Sequence, residues 1–247
     1  MQKTDSTVIP KTWTALPDSI RVRLGRDAGP QRAMLEEGHL LIIIHAVPKT
    51  DENRRQPALF WRQPNGEWKS STESPGARTI ADVIRTYEEK IEALDDAEEK
   101  AADARAYHRV LEELGPVLRA SRGVHRALQQ ARDFLKSERD LINHRDQAAA
   151  NERNAELLLQ DAQFGLDFIA AKHAEAHAMQ AESLARAAHK LNLLAALFLP
   201  LTTLASLFGM SPPVPGESSP ALFWIVCAIG AALGIGLSLA LVRNRRS

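Results

Sequence analysis

The chain has 247 residues, 31 Lys and Arg against 31 Asp and Glu for a formal net charge of zero, and one cysteine. That length allows one or two domains. A lone cysteine excludes an intramolecular disulfide and fits a reducing compartment for any soluble part, and the charge balance lacks the basic face that a nucleic-acid partner needs. The neutral total hides a division. Charged side chains crowd positions 1–190, whereas residues 191–242 carry only Glu217.

The opening MQKTDSTVIPKTW contains no apolar core of signal-peptide length, so the N-terminus is expected to stay inside the cell. Residues 1–38 read as loop-rich, interrupted by Pro10, Pro17, Gly25, Gly29, Pro30 and Gly38. His39 to Val47 (HLLIIIHAV) is short, Ile-rich and β-branched, which favours a buried strand over a helix. Ala58 to Arg62 is a second strand candidate. Asn65-Gly66 then separates it from Glu67-Trp68-Lys69 and predicts a hairpin, because both turn residues tolerate positive φ. A small sheet over about 39–71 would be a thin core alone and must pack against other elements.

From Thr79 to about His189 the composition turns to Ala, Glu, Arg, Leu and Gln, which form helices. Ile80, Val83, Ile84, Tyr87, Ile91 and Leu94 make one apolar stripe at helical spacing. Gly115-Pro116 is expected to break or kink this helix. Val117, Leu118, Val124, Leu128, Ala131 and Leu135 mark the next stretch, and a weaker break is expected near Asn143–Asp146. Ala148 to His189 then holds no Pro and only Gly165, and predicts a long helix running into the apolar segment. Its charges read mostly as a solvated face.

Leu191 to Met210 is a run of 20 residues without charge, and Ala221 to Val242 a run of 22. At ~1.5 Å rise per residue each is long enough to cross a hydrocarbon core of ~30 Å. The linker Ser211–Pro220 (SPPVPGESSP) is a turn by length and composition. Arg186 and Lys190 precede the first span, Arg243, Arg245 and Arg246 follow the second, and the linker has no Lys or Arg. The positive-inside rule then puts both termini in the cytoplasm and the loop outside, in the cell (inner) membrane. The second span carries Trp224 as an interfacial anchor and the small-xxx-small spacing Gly230-Ala-Ala-Leu-Gly234. The first is more polar. At 100° per residue Leu191, Ala195, Leu199, Thr202, Ser206 and Gly209 share an arc of about 80°. This small, uncharged stripe either lines a narrow pore between several copies of the helix or packs against the second span.

Phe198-Leu-Pro200-Leu-Thr202, followed by Gly209-Met210, a short outside loop, a second span and a basic tail, resembles the C-terminal part of the CorA family of divalent metal transporters. The resemblance implies a mainly α integral membrane protein. In it a cytoplasmic α/β domain and long helices lead into two C-terminal transmembrane helices; the residues before Thr79 depart from this, since they can supply only a small β-containing region, less than the family's usual α/β domain. It also implies a homo-oligomeric funnel, a pentamer, with the first spans around the pore. The domains that follow are 1–78, 79–190, the spans 191–210 and 221–242 about the loop 211–220, and the tail 243–247. Gly209, Met210 and Ser211 would stand at the outer pore mouth, and Leu191, Ala195, Leu199, Thr202 and Ser206 would line the pore. The family signature is Gly-Met-Asn; here it reads Gly209-Met210-Ser211. A Ser hydroxyl accepts a hydrogen bond from a hydrated cation but is shorter than an Asn amide. The acidic pairs Asp95-Asp96 and Glu98-Glu99 are candidates for a regulatory metal by composition only.

No Walker-type phosphate loop, CxxC pair or triad context is present. His173 and His177 lie one helical turn apart on one face and could share a metal, but His-Ala-Glu-Ala-His is not HExxH and no third ligand is obvious. The expected function is a divalent-cation channel or transporter, Mg²⁺ foremost, driven by the membrane potential. It would have no catalytic residues and no permanently bound cofactor, with partners limited to its own copies, lipid and the transported cation. The alternative is a membrane-anchored oligomeric effector or scaffold of the same architecture, signal-gated or non-conducting.

Overall fold

A computed structural model of the chain describes residues 8–25, 27–48, 56–72, 76–209, 228–230, 232 and 234–236. Two compact units are present, Met1–Ala171 and Lys172–Ser247.

The first unit holds a four-stranded antiparallel meander in the order β1 (Arg32–Glu36), β2 (His39–His45), β3 (Pro57–Arg62) and β4 (Trp68–Ser70). The Ile-rich run forms β2, as expected, with Ile42 opposite Phe60 and Leu41 opposite Trp61. β1 lies within the region read as loop-rich. Glu37 (φ 51°) and Gly38 (φ 79°) turn the chain from β1 into β2. The Asn65-Gly66 hairpin is present: Gly66 sits at φ 88°, the Gln63 amide donates to the Glu67 carbonyl at 2.9 Å, and Asn65 Oδ1 accepts from the Glu67 amide at 3.0 Å.

Both faces of β2 are covered, which explains an unbroken apolar run in an antiparallel strand. Leu40, Ile42 and Ile44 face the helices with Ala33, Ala58 and Phe60. Leu41 and Ile43 face the N-terminal segment with Met34, Leu59 and Trp61. That segment, including the short helix α1 (Asp18–Arg21), supplies Ile9, Trp13, Leu16 and Ile20 as the second layer. Arg21 fastens it by donating to the carbonyls of Trp13 and Leu16.

Both ends of β2 are held by side chains. At one end the Trp61 indole donates to His39 Nδ1 at 3.1 Å. At the other, His45 donates its backbone N–H to Gln31 Oε1 at 3.0 Å, and its carbonyl accepts from the Tyr87 hydroxyl at 3.1 Å.

α2 (Ile80–Glu99) opens on a capping box between Thr79 and Asp82 and buries the stripe Ile80, Val83, Ile84, Tyr87, Ile91, Leu94. α3 (Ala104–Phe134) opens on Asp103, whose carboxylate accepts from the Ala106 amide at 2.8 Å. α3 runs continuously through Gly115-Pro116, so of the break or kink expected there the break is absent. Leu114, Val117 and Leu118 on either side of the proline are buried, and this packing outweighs the lost backbone bond at Glu112, an exposed position. The helix breaks fall instead at residues 100–103 and 135–138. Asn143–Asp146, where a weak break was expected, lies inside α4 (Arg139–Gly209). Glu138 in the second break is paired with Arg62 of β3 at 2.7 Å.

α4 packs along Leu141, Ala148, Ala155 and Ala162, with Asn151 and Leu158 between, a heptad seam in which three alanines alternate with larger side chains. Asn151 donates to the Ile84 carbonyl of α2 at 2.9 Å. Arg122 and His125 of α3 pair with Glu156 and Glu152 of α4 at 2.7 and 2.6 Å. Gly165 of α4 receives the ring of Tyr107, and Gly123 of α3 receives the Gln31 side chain; a Cβ at either glycine would collide with it.

Candidate pore-facing helix face

The C-terminal part of α4, from Lys172 to Gly209, belongs to the second unit. Among the described residues, no α4 side chain between Ala162 and Ala196 is buried. The predicted stripe is exposed in the single chain. Leu191 is 66 % and Leu199 62 % accessible, and Ala195, Thr202 and Ser206 are exposed too. Gly209 ends the helix. Met210 and Ser211, the loop 211–220, all of 221–227 and the tail lie outside the described residues. The residues expected to line a pore thus share one helix.

Leu199 accepts hydroxyl hydrogen bonds from both Thr202 (3.0 Å) and Thr203 (2.7 Å) at its carbonyl. Pro200 has no N–H, so the turn before it lacks one helical bond, and hydroxyls that bond back onto the backbone in the next turn favour a bend rather than a straight helix. Both hydroxyl hydrogens are thereby engaged, and Oγ1 of the exposed Thr202 is left to act as an acceptor.

Gly230 and Gly234 in the C-terminal segment are buried, whereas Ala228, Ile229, Ala232 and Ile235 are exposed. A buried glycine pair four apart fits close helix approach. Among the described residues no helix is long and apolar enough to cross a membrane. Much of the second expected span, and several side chains of the first, lie outside that description.

The acidic pairs at the end of α2 come near a second element, α4. Burial, then the nearby carboxylates of Asp161, Asp95 and Glu99, hold the Glu98 carboxyl above its ordinary range. Asp161 comes from α4, a neighbour that spacing along α2 could not reveal. Among the described residues no group of three or more His, Cys, Asp and Glu is arranged to hold a metal. His173 and His177 are both exposed on α4.

The family described as CorA-like Mg2+ transporter protein matches residues 72–243. No curated protein matches the chain. Among solved structures, the chain is similar to the CorA magnesium transporter from Methanocaldococcus jannaschii, at 15% identity over 94% of this chain and 84% of that one, with a TM-score of 0.39. It is similar to the full-length CmaX protein at 16% identity, over 95% and 83%, with a TM-score of 0.49. It is similar to the ZntB cytoplasmic domain from Vibrio parahaemolyticus RIMD 2210633 at 15% identity, over 68% and 80%, with a TM-score of 0.44.

Proposed function

The chain belongs to the CorA-like Mg2+ transporter protein family, a family of transporters and not of enzymes, and on that premise we propose that it conducts a divalent cation, Mg²⁺ foremost, down the membrane potential. The observation that carries the reading is the family match across residues 72–243, which takes in both uncharged runs and the helix leading to them. In this reading Leu191–Met210 and Ala221–Val242 are the spans, the loop 211–220 is outside, and residues 1–190 and 243–247 are cytoplasmic. Copies of the chain, five by resemblance to the family, would surround an axis with the stripe of α4 toward it.

The chemistry of the stripe supports the reading. Mg²⁺ sheds its water reluctantly, so a path for it needs acceptors for those waters rather than direct ligands. Thr202 offers an oxygen whose hydrogen is already engaged, and Ser206 and Ser211 add hydroxyls along the same route. Leu191 and Leu199 supply apolar rings that close by dewetting. An inside-negative potential is worth ~2.3 kcal/mol per elementary charge per 100 mV, and roughly twice that for a dication, so no nucleotide hydrolysis is required.

Ser211 in place of Asn favours one second reading, an oligomeric effector of the same architecture that conducts only on a signal or not at all. The deciding experiment is rescue of a magnesium-transport-deficient bacterial strain by the natural chain and by Ser211→Asn at matched membrane levels. Growth on low magnesium with the natural chain is the expected result and makes Ser211 a working filter residue. Growth with the Asn form alone means an intact pore with another natural ion or signal. Growth with neither, at good expression, supports the effector reading.

A further inference from the structure

The exposed stripe of α4 does not stop at Leu191. At 100° per residue, His173, His177 and Leu184 fall inside the same arc of about 80° as Leu191, Ala195 and Thr202. All belong to the same unit and the same continuous helix, and all six are exposed. The charged residues of this stretch stand elsewhere. Lys172, Glu175, Glu182, Arg186 and Lys190 gather in an arc of similar width on the opposite side. Arg186 pairs with Glu182 there at 3.0 Å. The two imidazoles are therefore the only ionisable side chains on the stripe between residues 172 and 209.

We propose that His173 and His177 form a binding site for a borderline transition-metal dication of the Zn²⁺, Co²⁺, Ni²⁺ class, on the cytoplasmic approach to the pore. Their Cβ atoms are ~5–6 Å apart at i, i+4, a spacing that lets two imidazoles share one metal. Imidazole suits this class of cation and not Mg²⁺, which selects oxygen. One chain supplies two ligands, in keeping with the absence of any three-ligand cluster among the described residues. Around a common axis, further copies present the same pair and complete the set. Glu175 between them points away and is not a ligand. A dication held there repels the next one, so an occupied site slows passage of Mg²⁺. The position of the site and the completion of its ligand set by further copies rest on the pore reading above, whereas the two-imidazole pair within one chain does not.

The test separates the two. Zn²⁺ binding to the purified full-length chain is measured by equilibrium dialysis for the wild type, His173→Ala, His177→Ala and, as a control off the stripe, His189→Ala. Mg²⁺ flux is measured in proteoliposomes with and without Zn²⁺ on the side of the histidines. Because both histidines are exposed, their removal leaves the fold intact, which circular dichroism verifies. The expected result is Zn²⁺ binding weakened about 10- to 100-fold by either stripe substitution and untouched by His189→Ala. Binding should weaken on acidification, because the neutral imidazole is the ligand. Zn²⁺ should inhibit flux through the wild type and not through His177→Ala. Flux without any His-dependent Zn²⁺ binding overturns the site and leaves the pore reading standing. His-dependent binding with no flux in the wild type overturns the pore reading, and with it the placement of the site on a conduction route.

Discussion

Gly165 is a glycine because the Tyr107 ring occupies the space of its side chain, across the contact between α3 and α4. Gly165→Ala therefore forces the ring or the helix aside and should lower stability by about 1–3 kcal/mol. Thermal unfolding of the solubilised full-length protein measures this, and an unchanged midpoint would mean that Tyr107 relocates at no cost. His144 gives a pH signature. Burial holds its imidazole below the ordinary value of 6.5, only partly offset by the Asp140 carboxylate and by a hydrogen bond that the ring N–H donates to the Gln147 side chain. The unfolded chain then takes up a proton that the folded chain refuses, so stability falls as pH drops through 6.5 and below. Denaturant midpoints from about pH 7.5 to about 5.5 should decline less in His144→Gln than in the wild type, and parallel declines would remove His144 from the acid response. Neither contact was legible in the sequence. Gly165 stood out as the single glycine of a long helix, but its partner lies 58 positions earlier, on another helix. Spacing reports neighbours on one element and is silent about those that the fold brings together.

Where elements begin and end, local chemistry was legible when it involved a cap or a turn, and illegible when packing overrode it. Asn65-Gly66 predicts its hairpin because φ is a property of the residues themselves. Pro116 misleads because the cost of a proline in a helix, ~3 kcal/mol, is met by burial of Leu114, Val117 and Leu118 around it. The true start of α3 at Asp103 carried a readable signal, a carboxylate three residues before the amide it caps. β1 was missed because its burial comes from α3 on one face, the N-terminal segment on the other and β2 along its edge, and it shows no alternation of its own. The capping box of α2 supports a local prediction. Thr79→Ala removes the acceptor for the Asp82 amide and should cost about 1 kcal/mol, read as a lower denaturant midpoint with an unchanged slope. A change in slope would instead mean that the native or denatured state has altered in compactness.

For the whole molecule, the consequence of the pore reading is tested in cells. Leu191→Asp would set a ring of carboxylates in an apolar constriction and keep it wet. Cation uptake should rise without a stimulus at matched membrane levels, and an unchanged rate counts against the stripe as the pore wall. The N-terminal sheet raises a different question. A strand with one oily side and one polar side carries its own alignment instructions, because a slip of one residue puts the wrong side inward. β2 is oily on both sides, so sliding it by one position swaps Leu for Ile between two equally apolar layers at little cost in burial. The alignment must be encoded at the ends instead. Trp61 reads His39 at one terminus, and Gln31 and Tyr87 read the two backbone groups of His45 at the other. A single slip breaks all three bonds together, so a few polar atoms at the margins, rather than the hydrophobic bulk of the strand, carry the information that selects one sheet from its near-copies.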